Sequence, residues 1–195
     1  MMRIIDNFIK DPYAVREVAL KQTNYAPDEQ FKWPGSRTQV LDPYRKIYAE
    51  CYQKYFDQSA NLGWMYFQSI NNSFSQGAFH ADIGCKYTVI TYLNLKCPLN
   101  TGTEVVGDTY HVHDQYLKKF NVDKRGFISS KKNPIDTLVY NRRVKRHNSR
   151  FTDPCIISNK FNRTLIFYGE RIHRAQNFFG TNLANSRLTL IAFFD

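Results

Sequence analysis

The stretch FHADIGCKYTVITYLN, residues 79–94, holds a histidine and an aspartate one residue apart. If this stretch is extended, His80 and Asp82 point to the same face, and their end groups are close enough to share one metal ion. The pair alone is a weak signal, because two polar residues on the wet face of a sheet would look the same. A metal site therefore requires a third ligand elsewhere in the chain.

His173 is the best candidate for that third ligand. It follows the apolar strand pattern TLIFYG and precedes a second strand pattern, SRLTLIAFF. In the second pattern Arg187 and Thr189 alternate with leucines, so a guanidinium and a hydroxyl share one face. A buried arginine needs an anionic partner, and no acid is adjacent to this one in the sequence. A bound ligand could be that partner, and the guanidinium fork suits a carboxylate.

These residues, in this order, resemble the iron(II)/2-oxoglutarate-dependent oxygenases, and most of all the prolyl-hydroxylase-like branch with its small phage and bacterial members. The resemblance rests on His80-x-Asp82, His173 and Arg187-x-Thr189. Shorter matches are SQGAFHAD before the first ligand, TYLN at 91–94, TGTE at 101–104 and the opening IIDNFIKDPYAVREVAL. The resemblance covers most of the chain except about residues 107–155.

The resemblance implies a double-stranded β-helix, or jelly roll, that binds Fe(II) through His80, Asp82 and His173. It implies 2-oxoglutarate and O2 in the remaining metal positions, with release of succinate and CO2 and oxidation of a C–H bond in a primary substrate. Halogenating relatives lack the carboxylate ligand and place halide there. The presence of Asp82 therefore favours a hydroxylase.

The resemblance also implies contacts to the cosubstrate. Arg187 would hold the distal carboxylate of 2-oxoglutarate, with Thr189 donating a hydroxyl and Tyr92 assisting. Thr88 would line the same pocket, because it shares a strand face with Tyr92, and Asn94 would lie on that face as well. Alternatively, Tyr92 is an aromatic residue of the hydrophobic core without a role in cosubstrate binding.

Other polar positions have open roles. The pair His111-x-His113 could itself bind a metal, although it lies in a polar segment rather than beside a clear strand pattern. Asn72 is a candidate contact for the 2-oxoglutarate carboxylate nearest the iron, because this chain lacks the tyrosine that prolyl hydroxylases carry there. Arg37 is either a substrate-facing cation or an exposed loop charge.

The elements that would position these residues follow a helix-then-strand order. Asp11-Pro12 and Asp42-Pro43 each place an N-cap acid before a proline, and helical spacing follows both. In the second helix the predicted buried stripe consists of Tyr44, Ile47, Tyr48, Cys51 and Tyr55. Strands are predicted for GWMYFQSI, KYTVITYLNL, TLVYNRRV, RTLIFYG and SRLTLIAFF. The fold class is therefore mainly β with N-terminal helices.

The 195 residues suffice for one domain with its own core. The four scattered cysteines predict buried, reduced thiols. The first residues carry charges on both sides of a short apolar stretch, which is typical of neither a signal peptide nor a membrane span. A cytoplasmic protein without a membrane partner is therefore expected.

The net charge of +10 is unevenly spread, because eleven Lys and Arg residues lie between 118 and 150 against two acids. This basic excursion, about residues 107–155, could attract an anionic substrate, or it could be a solvated loop face. Aromatic residues are interleaved with the charges: Phe120, Phe127, Tyr140 and Phe151. The alternative function is thus a non-catalytic nucleic-acid-binding protein that uses residues 118–151. The primary substrate of an oxygenase stays open among small molecules, peptides and nucleic acids.

Overall fold

A computed structural model describes residues 2–27, 34–40, 44–56, 60–107 and 137–195. The helices are α1 (Pro12–Lys21), α2 (Tyr44–Gln53) and α3 (Thr137–Asn148). The strands are β1 (Met2–Ile5), β2 (Ala26–Pro27), β3 (Ser36–Gln39), β4 (Leu62–Ile70), β5 (Tyr87–Tyr92), β6 (Thr103–Val105), β7 (Cys155–Ile157), β8 (Thr164–Tyr168), β9 (His173–Ala175) and β10 (Arg187–Phe194). Within these ranges, no helix has both the length and the apolar character needed to cross a membrane.

The strands form two antiparallel sheets. The larger sheet has seven strands in the order β1-β8-β5-β10-β4-β3-β2, and the smaller has three in the order β7-β6-β9. Strands distant in sequence, such as β5 and β10, pair at the centre of the larger sheet, which is typical of a jelly roll rather than a meander. Buried residues of both sheets, among them Tyr92, Val105 and Phe167, pack against one another between the sheets.

Alternation along β10 gives its two faces different roles. Leu188 and Leu190 belong to the core cluster that includes residues of α1 and α2. Arg187 and Ile191, on the opposite face, line a cavity between the two sheets. Burial of one leucine side chain contributes about 1.5–3 kcal/mol, and a slip of one residue would exchange the two faces. The helices therefore fix the register that directs Arg187 into the cavity.

Helix α1 begins where the sequence predicts. Asp11 caps it by accepting a hydrogen bond from the backbone N–H of Ala14 at 3.1 Å, an interaction worth about 1 kcal/mol. Helix α2 begins at Tyr44, while Asp42 and Pro43 lie outside the described residues.

The buried face of α2 differs from the predicted stripe. Tyr48 and Tyr52 are buried, whereas Tyr44 and Ile47 are exposed. The hydroxyl of Tyr52 forms a buried hydrogen bond of 3.1 Å with Thr91. Because a buried tyrosine hydroxyl needs such a partner, the helix is turned towards position 52, which the predicted stripe omitted.

The prediction of a strand at TLVYNRRV is wrong, because this segment is the first part of α3. Its buried residues Tyr140, Val144 and His147 recur at helical spacing, whereas Leu138 and Val139 are exposed. The β-branched and aromatic residues suggested a strand, but the helical period becomes visible only when the window extends to His147.

The four cysteines are free, in agreement with the prediction of reduced thiols. Their predicted burial is wrong. Cys155 is exposed, and Cys51, Cys85 and Cys97 are only partly buried.

Candidate metal and cosubstrate site

The three predicted metal ligands meet in the cavity between the sheets. His80 and His173 form an isolated β-bridge, with N–H···O bonds of 2.9 and 2.8 Å in the two directions. Residues paired in this way point to the same side, and the two ring centroids are 4.4 Å apart. The carboxylate of Asp82 lies 3.5 Å from Nε2 of His80 and 3.3 Å from Nε2 of His173.

The arrangement of these three side chains fits one metal ion. Their potential ligand atoms all lie within 4.8 Å of one another, and atoms bound to one ion at about 2.1 Å are roughly 3 to 3.5 Å apart. Two imidazoles and one carboxylate suit a first-row divalent metal with open coordination positions. No second group of this kind occurs in the described ranges. His111 and His113 lie outside them, so the H-x-H alternative stays a prediction.

Hydrogen bonds orient each of the three candidate ligands. In both histidines Nδ1 lies next to the backbone carbonyl oxygen two residues earlier, at 2.8 Å for His80 and 2.9 Å for His173. Because a carbonyl only accepts, each ring carries its proton on Nδ1 and leaves the lone pair of Nε2 for the metal. The hydroxyl of Thr88 donates to Oδ2 of Asp82 at 2.9 Å. The third ligand is therefore held as well.

Helix α3 holds the segment 76–79, which leads into His80. The side-chain amide of Asn148 accepts from a backbone N–H of this segment at 3.1 Å and donates to one of its carbonyls at 2.9 Å. His147 and Tyr140 each contact a further carbonyl of the segment, both at 3.0 Å. Side chains of α3 thus satisfy main-chain groups that a strand ladder would otherwise pair.

Arg187 is a buried cation in the same cavity. Its exposure is 4%, and Nη1 has no hydrogen-bond partner among the described residues. Nη2 lies 3.4 Å from the hydroxyl of Thr103, and the guanidinium carbon is 5.2 Å from the ring centroid of Tyr92. Burial lowers the pKa of Arg187 and raises that of Tyr92. The described part of the chain thus keeps a guanidinium from water without an acidic partner, which suits an anionic ligand.

Hydroxyl groups surround this guanidinium. Tyr92 and Thr103 share a hydrogen bond of 2.6 Å between their hydroxyls. Thr189 is buried and pairs in register with Tyr92, on the same strand face as Arg187. Thr103 was not among the predicted site residues, although the match TGTE contained it.

The cavity brings together most of the predicted site residues. Tyr92 and Thr189 are buried beside Arg187, as described above. The predicted residues that line the cavity itself are His80, Asp82, Thr88, His173 and Arg187. Thr88 was expected beside the cosubstrate, and its hydrogen bond to Asp82 also brings it into contact with a candidate metal ligand.

Asn94 is not brought to the cavity. Its side chain donates to the carbonyl of Ser186 at 2.7 Å and accepts from the N–H of Leu188 at 3.0 Å. Strand β5 ends at Tyr92, so the alternation that placed Asn94 on the same face does not extend to it. Asn72 is exposed and is not among the residues that line the cavity.

Sequence analysis missed part of the cavity lining. Tyr66, Gln68 and Ile70 alternate along β4 and all face the cavity, and the pattern GWMYFQSI could have placed them on one face. Tyr140 also lines the cavity, but its assignment to a strand concealed this. Arg37 lines the cavity too, which decides against a purely solvent-facing loop charge.

The described part of the basic excursion has two faces. Its buried face holds the segment 76–79, and its exposed face carries the cations Arg142, Arg143, Lys145, Arg146 and Arg150. Tyr140 is 2% exposed and Phe151 is 9% exposed, so neither ring is available to stack on bases. Phe120 and Phe127 lie outside the described residues. The visible part therefore lacks the aromatic platform that the nucleic-acid-binding alternative requires.

Solved structures share this arrangement of sheets. The epimerase SnoN, in complex with Fe3+, alpha-ketoglutarate and nogalamycin RO, matches with a TM-score of 0.61 and 11% identity, over 99% of this chain and 78% of its own. HygX from Streptomyces hygroscopicus, with nickel and 2-oxoglutarate bound, matches with a TM-score of 0.60 and 11% identity, over 99% and 82%. A prolyl-4-hydroxylase from Pseudomonas putida matches with a TM-score of 0.56 and 11% identity, over 99% and 91%. The chain has the fold of 2-oxoglutarate oxygenases.

This oxygenase fold confirms the predicted jelly roll preceded by helices. A model of a family of unknown function, DUF6445, matches residues 1–81. That match contains the N-terminal helices and His80 but ends before Asp82. No curated protein matches the chain.

Proposed function

We propose that this protein is an Fe(II)- and 2-oxoglutarate-dependent dioxygenase that hydroxylates a C–H bond of a primary substrate, with release of succinate and CO2. His80, Asp82 and His173 would hold the iron, and Arg187 would hold the distal carboxylate of 2-oxoglutarate. We further propose that residues 1–195 form one oxygenase domain, since the first and last strands belong to the same sheet.

The observation that carries the proposal is the buried guanidinium of Arg187 in the same cavity as the triad. A metal site alone would not need this cation. A structural zinc would also require a closed set of four ligands, whereas three ligands leave positions open. A dicarboxylate such as 2-oxoglutarate would bind the metal with one end and Arg187 with the other, which would explain why both features share one cavity.

The residues of this chain would hold the iron and 2-oxoglutarate in position and keep water away from them. Bound iron, with 2-oxoglutarate and O2, supplies the oxidising chemistry. The Nδ1–H bonds fix the orientation of His80 and His173, and Thr88 fixes that of Asp82. We assign Tyr92 and Thr189 to the cosubstrate end of the cavity beside Arg187, and Thr88 to positioning the carboxylate ligand. Asn94 has no role in this proposal.

Hydroxylation is proposed rather than halogenation because Asp82 would take the coordination position that a halide needs. The likeness to an epimerase indicates that the same fold accommodates reactions other than hydroxylation. The product of the primary substrate therefore has to be identified directly, for instance by the mass increase of one oxygen atom.

An anaerobic absorbance titration tests the proposal. Addition of Fe(II) and then of 2-oxoglutarate to the metal-free protein should produce a visible charge-transfer band only when both are present. His80→Ala should lose the band, whereas Arg142→Ala, on the exposed face of α3, should keep it. The proposal is wrong if the folded wild-type protein gives no band although its iron content shows bound metal.

A further inference from the structure

A row of polar residues crosses the cavity face of the larger sheet. Tyr92, Thr189, Gln68 and Arg37 pair in register on the consecutive strands β5, β10, β4 and β3. Neighbouring strands are about 4.8 Å apart, so Gln68 lies about 5 Å and Arg37 about 10 Å from Thr189 along the row. The first half of the row belongs to the proposed cosubstrate end. The second half, Gln68 and Arg37, has no role there.

Arg37 is held in a defined orientation by its neighbours. The side-chain oxygen of Gln68 accepts hydrogen bonds from Nε and Nη2 of Arg37 at 3.0 and 3.1 Å. A guanidinium only donates, so this is the amide orientation that the contact requires. The guanidinium carbon also lies 4.4 Å from the ring centroid of Tyr66. A stacked and hydrogen-bonded arginine loses little freedom when it binds a further group.

The surroundings of Arg37 favour an anionic group with an apolar neighbour. Asp82 is the single acid among the residues that line the cavity in the described part of the chain, and the metal would use its charge. Among the described lining residues there are thus two guanidinium groups, those of Arg37 and Arg187, and one carboxylate. Much of the remaining surface is apolar or aromatic, including Tyr140 and Phe178, and the field of a cation is stronger beside such groups than in water.

We propose that Arg37 determines substrate specificity by binding a carboxylate or phosphate group of the primary substrate. This inference rests on the proposed function, and it adds the chemical class of the substrate: a molecule with an oxyanion at one end and an apolar part that carries the reacting C–H bond. Gln68 and Tyr66 are positioning residues for Arg37. Carboxylate and phosphate share the bidentate geometry that a guanidinium recognises.

Paramagnetic relaxation tests this proposal without a known substrate. The protein is loaded with Mn(II) and saturating 2-oxoglutarate and is titrated with inorganic phosphate, read from 31P relaxation, and separately with acetate, read from methyl 1H relaxation. We expect a saturable enhancement in the wild type and an affinity at least about tenfold lower in Arg37→Gln, because the charge-assisted contact is lost. Arg37→Lys should keep part of the effect, and Arg142→Gln should keep all of it.

The two anions distinguish the source of the oxyanion, since the probe with the higher affinity identifies a phosphate or a carboxylate substrate. A Zn(II)-loaded sample gives the diamagnetic reference. The proposal is overturned if the wild type shows no enhancement, or if Arg37→Gln shows the same enhancement while its unfolding curve and its 2-oxoglutarate affinity match those of the wild type.

A separate measurement of Mn(II) binding shows whether the proposed oxygenase function itself fails. Binding of Mn(II) is first followed by loss of the electron paramagnetic resonance signal of free Mn(II), and His80→Ala should prevent this loss. If Mn(II) does not bind, the oxygenase proposal is wrong. The anion titration is then repeated with metal-free protein, where saturable line broadening that is absent in Arg37→Gln would support the Arg37 site, and its absence in the wild type would overturn it.

Discussion

Replacement of Arg187 by methionine separates two roles that a buried arginine can have. Arg187→Met removes the guanidinium but keeps an unbranched side chain in the cavity. If the arginine is part of the scaffold, its loss should weaken the folded protein. If it is there for an anionic ligand, the folded protein should tolerate the change, and only ligand binding should suffer.

The contacts of Arg187 allow both effects to be estimated. In the free protein Nη1 has no partner among the described residues, and Nη2 has one long contact of 3.4 Å to Thr103. An unsatisfied buried polar group costs about 1–3 kcal/mol, and an apolar replacement of a buried charge is often neutral or stabilising. We therefore expect the free energy of unfolding of the metal-free variant to be unchanged or raised by up to about 2 kcal/mol.

In contrast to the unchanged or raised stability of the free protein, the binding of 2-oxoglutarate should be weaker in Arg187→Met. Breaking a desolvated charge pair costs about 2–5 kcal/mol, which raises the Kd for 2-oxoglutarate by about 30-fold to about 4,000-fold. A ligand at 100 times its Kd stabilises a protein by about 2.7 kcal/mol. At the concentration that gives this stabilisation to the wild type, 2-oxoglutarate should stabilise Arg187→Met by less than about 0.9 kcal/mol.

Two measurements on the same samples test this prediction. Urea unfolding of the metal-free proteins gives the free energy of unfolding, and anaerobic titration of the iron-loaded proteins gives the Kd for 2-oxoglutarate. Arg142→Met, with the same substitution at an exposed site, is the control. A loss of about 3 kcal/mol or more in unfolding together with an unchanged Kd would refute the reasoning, because Arg187 would then be structural.

Three further changes have expected outcomes. Thr88→Val keeps the shape of the side chain but removes the donor to Asp82, and metal titration should show affinity about 10- to 100-fold lower; unchanged affinity would mean that Thr88 only lines the cavity. Asn148→Ala leaves buried main-chain groups unpaired and should lower the urea-derived free energy of unfolding by about 1–3 kcal/mol; a change below about 0.5 kcal/mol would contradict this role. Hydrogen bonds from Arg163 and, to a lesser extent, from Lys160 hold the pKa of Asp6 well below its usual range. The ionised carboxylate therefore stabilises the fold fully at pH values above the unfolded-state pKa of about 4. This stabilisation is lost as pH falls through the lower folded-state pKa. Asp6→Asn should therefore be less stable than the wild type at pH 7 by up to about 1 kcal/mol, since the pair is at the surface, and the two unfolding curves should converge towards pH 2; a difference that stays constant with pH would contradict this assignment.

The sequence alone predicted those features that depend on a local pattern of side chains. Alternation in SRLTLIAFF placed Arg187 and Thr189 on one face and the leucines on the other, because side chains in a strand alternate whatever the strand pairs with. His80 and Asp82 do lie close together, although residues 79–83 are not a strand and only His80 forms an isolated bridge. The cap at Asp11 was equally local, since it depends on residues within one turn.

The features that sequence analysis missed depend mainly on contacts between distant parts of the chain. Gln68 and Arg37 belong to the same polar row as Thr189 only because of the register of three strands, which no local pattern specifies. Asn94 was misplaced because β5 ends at Tyr92, and the Asn94 side chain instead accepts a hydrogen bond from the backbone N–H of Leu188. Helix α3 was missed because its buried face continues past the segment that looked like a strand.

The contacts of α3 also show that this helix cannot be removed from the jelly roll without consequences for the segment before His80. Side chains of α3 pair six main-chain groups in the segment 73–79, which leads to His80, the first candidate metal ligand. A shortened chain that joined residue 107 to residue 151 would keep every strand of the described residues, yet it would leave these groups without their partners. Helix α3 is therefore not an independent insertion, because any replacement must also supply the donors and acceptors that hold the segment before His80.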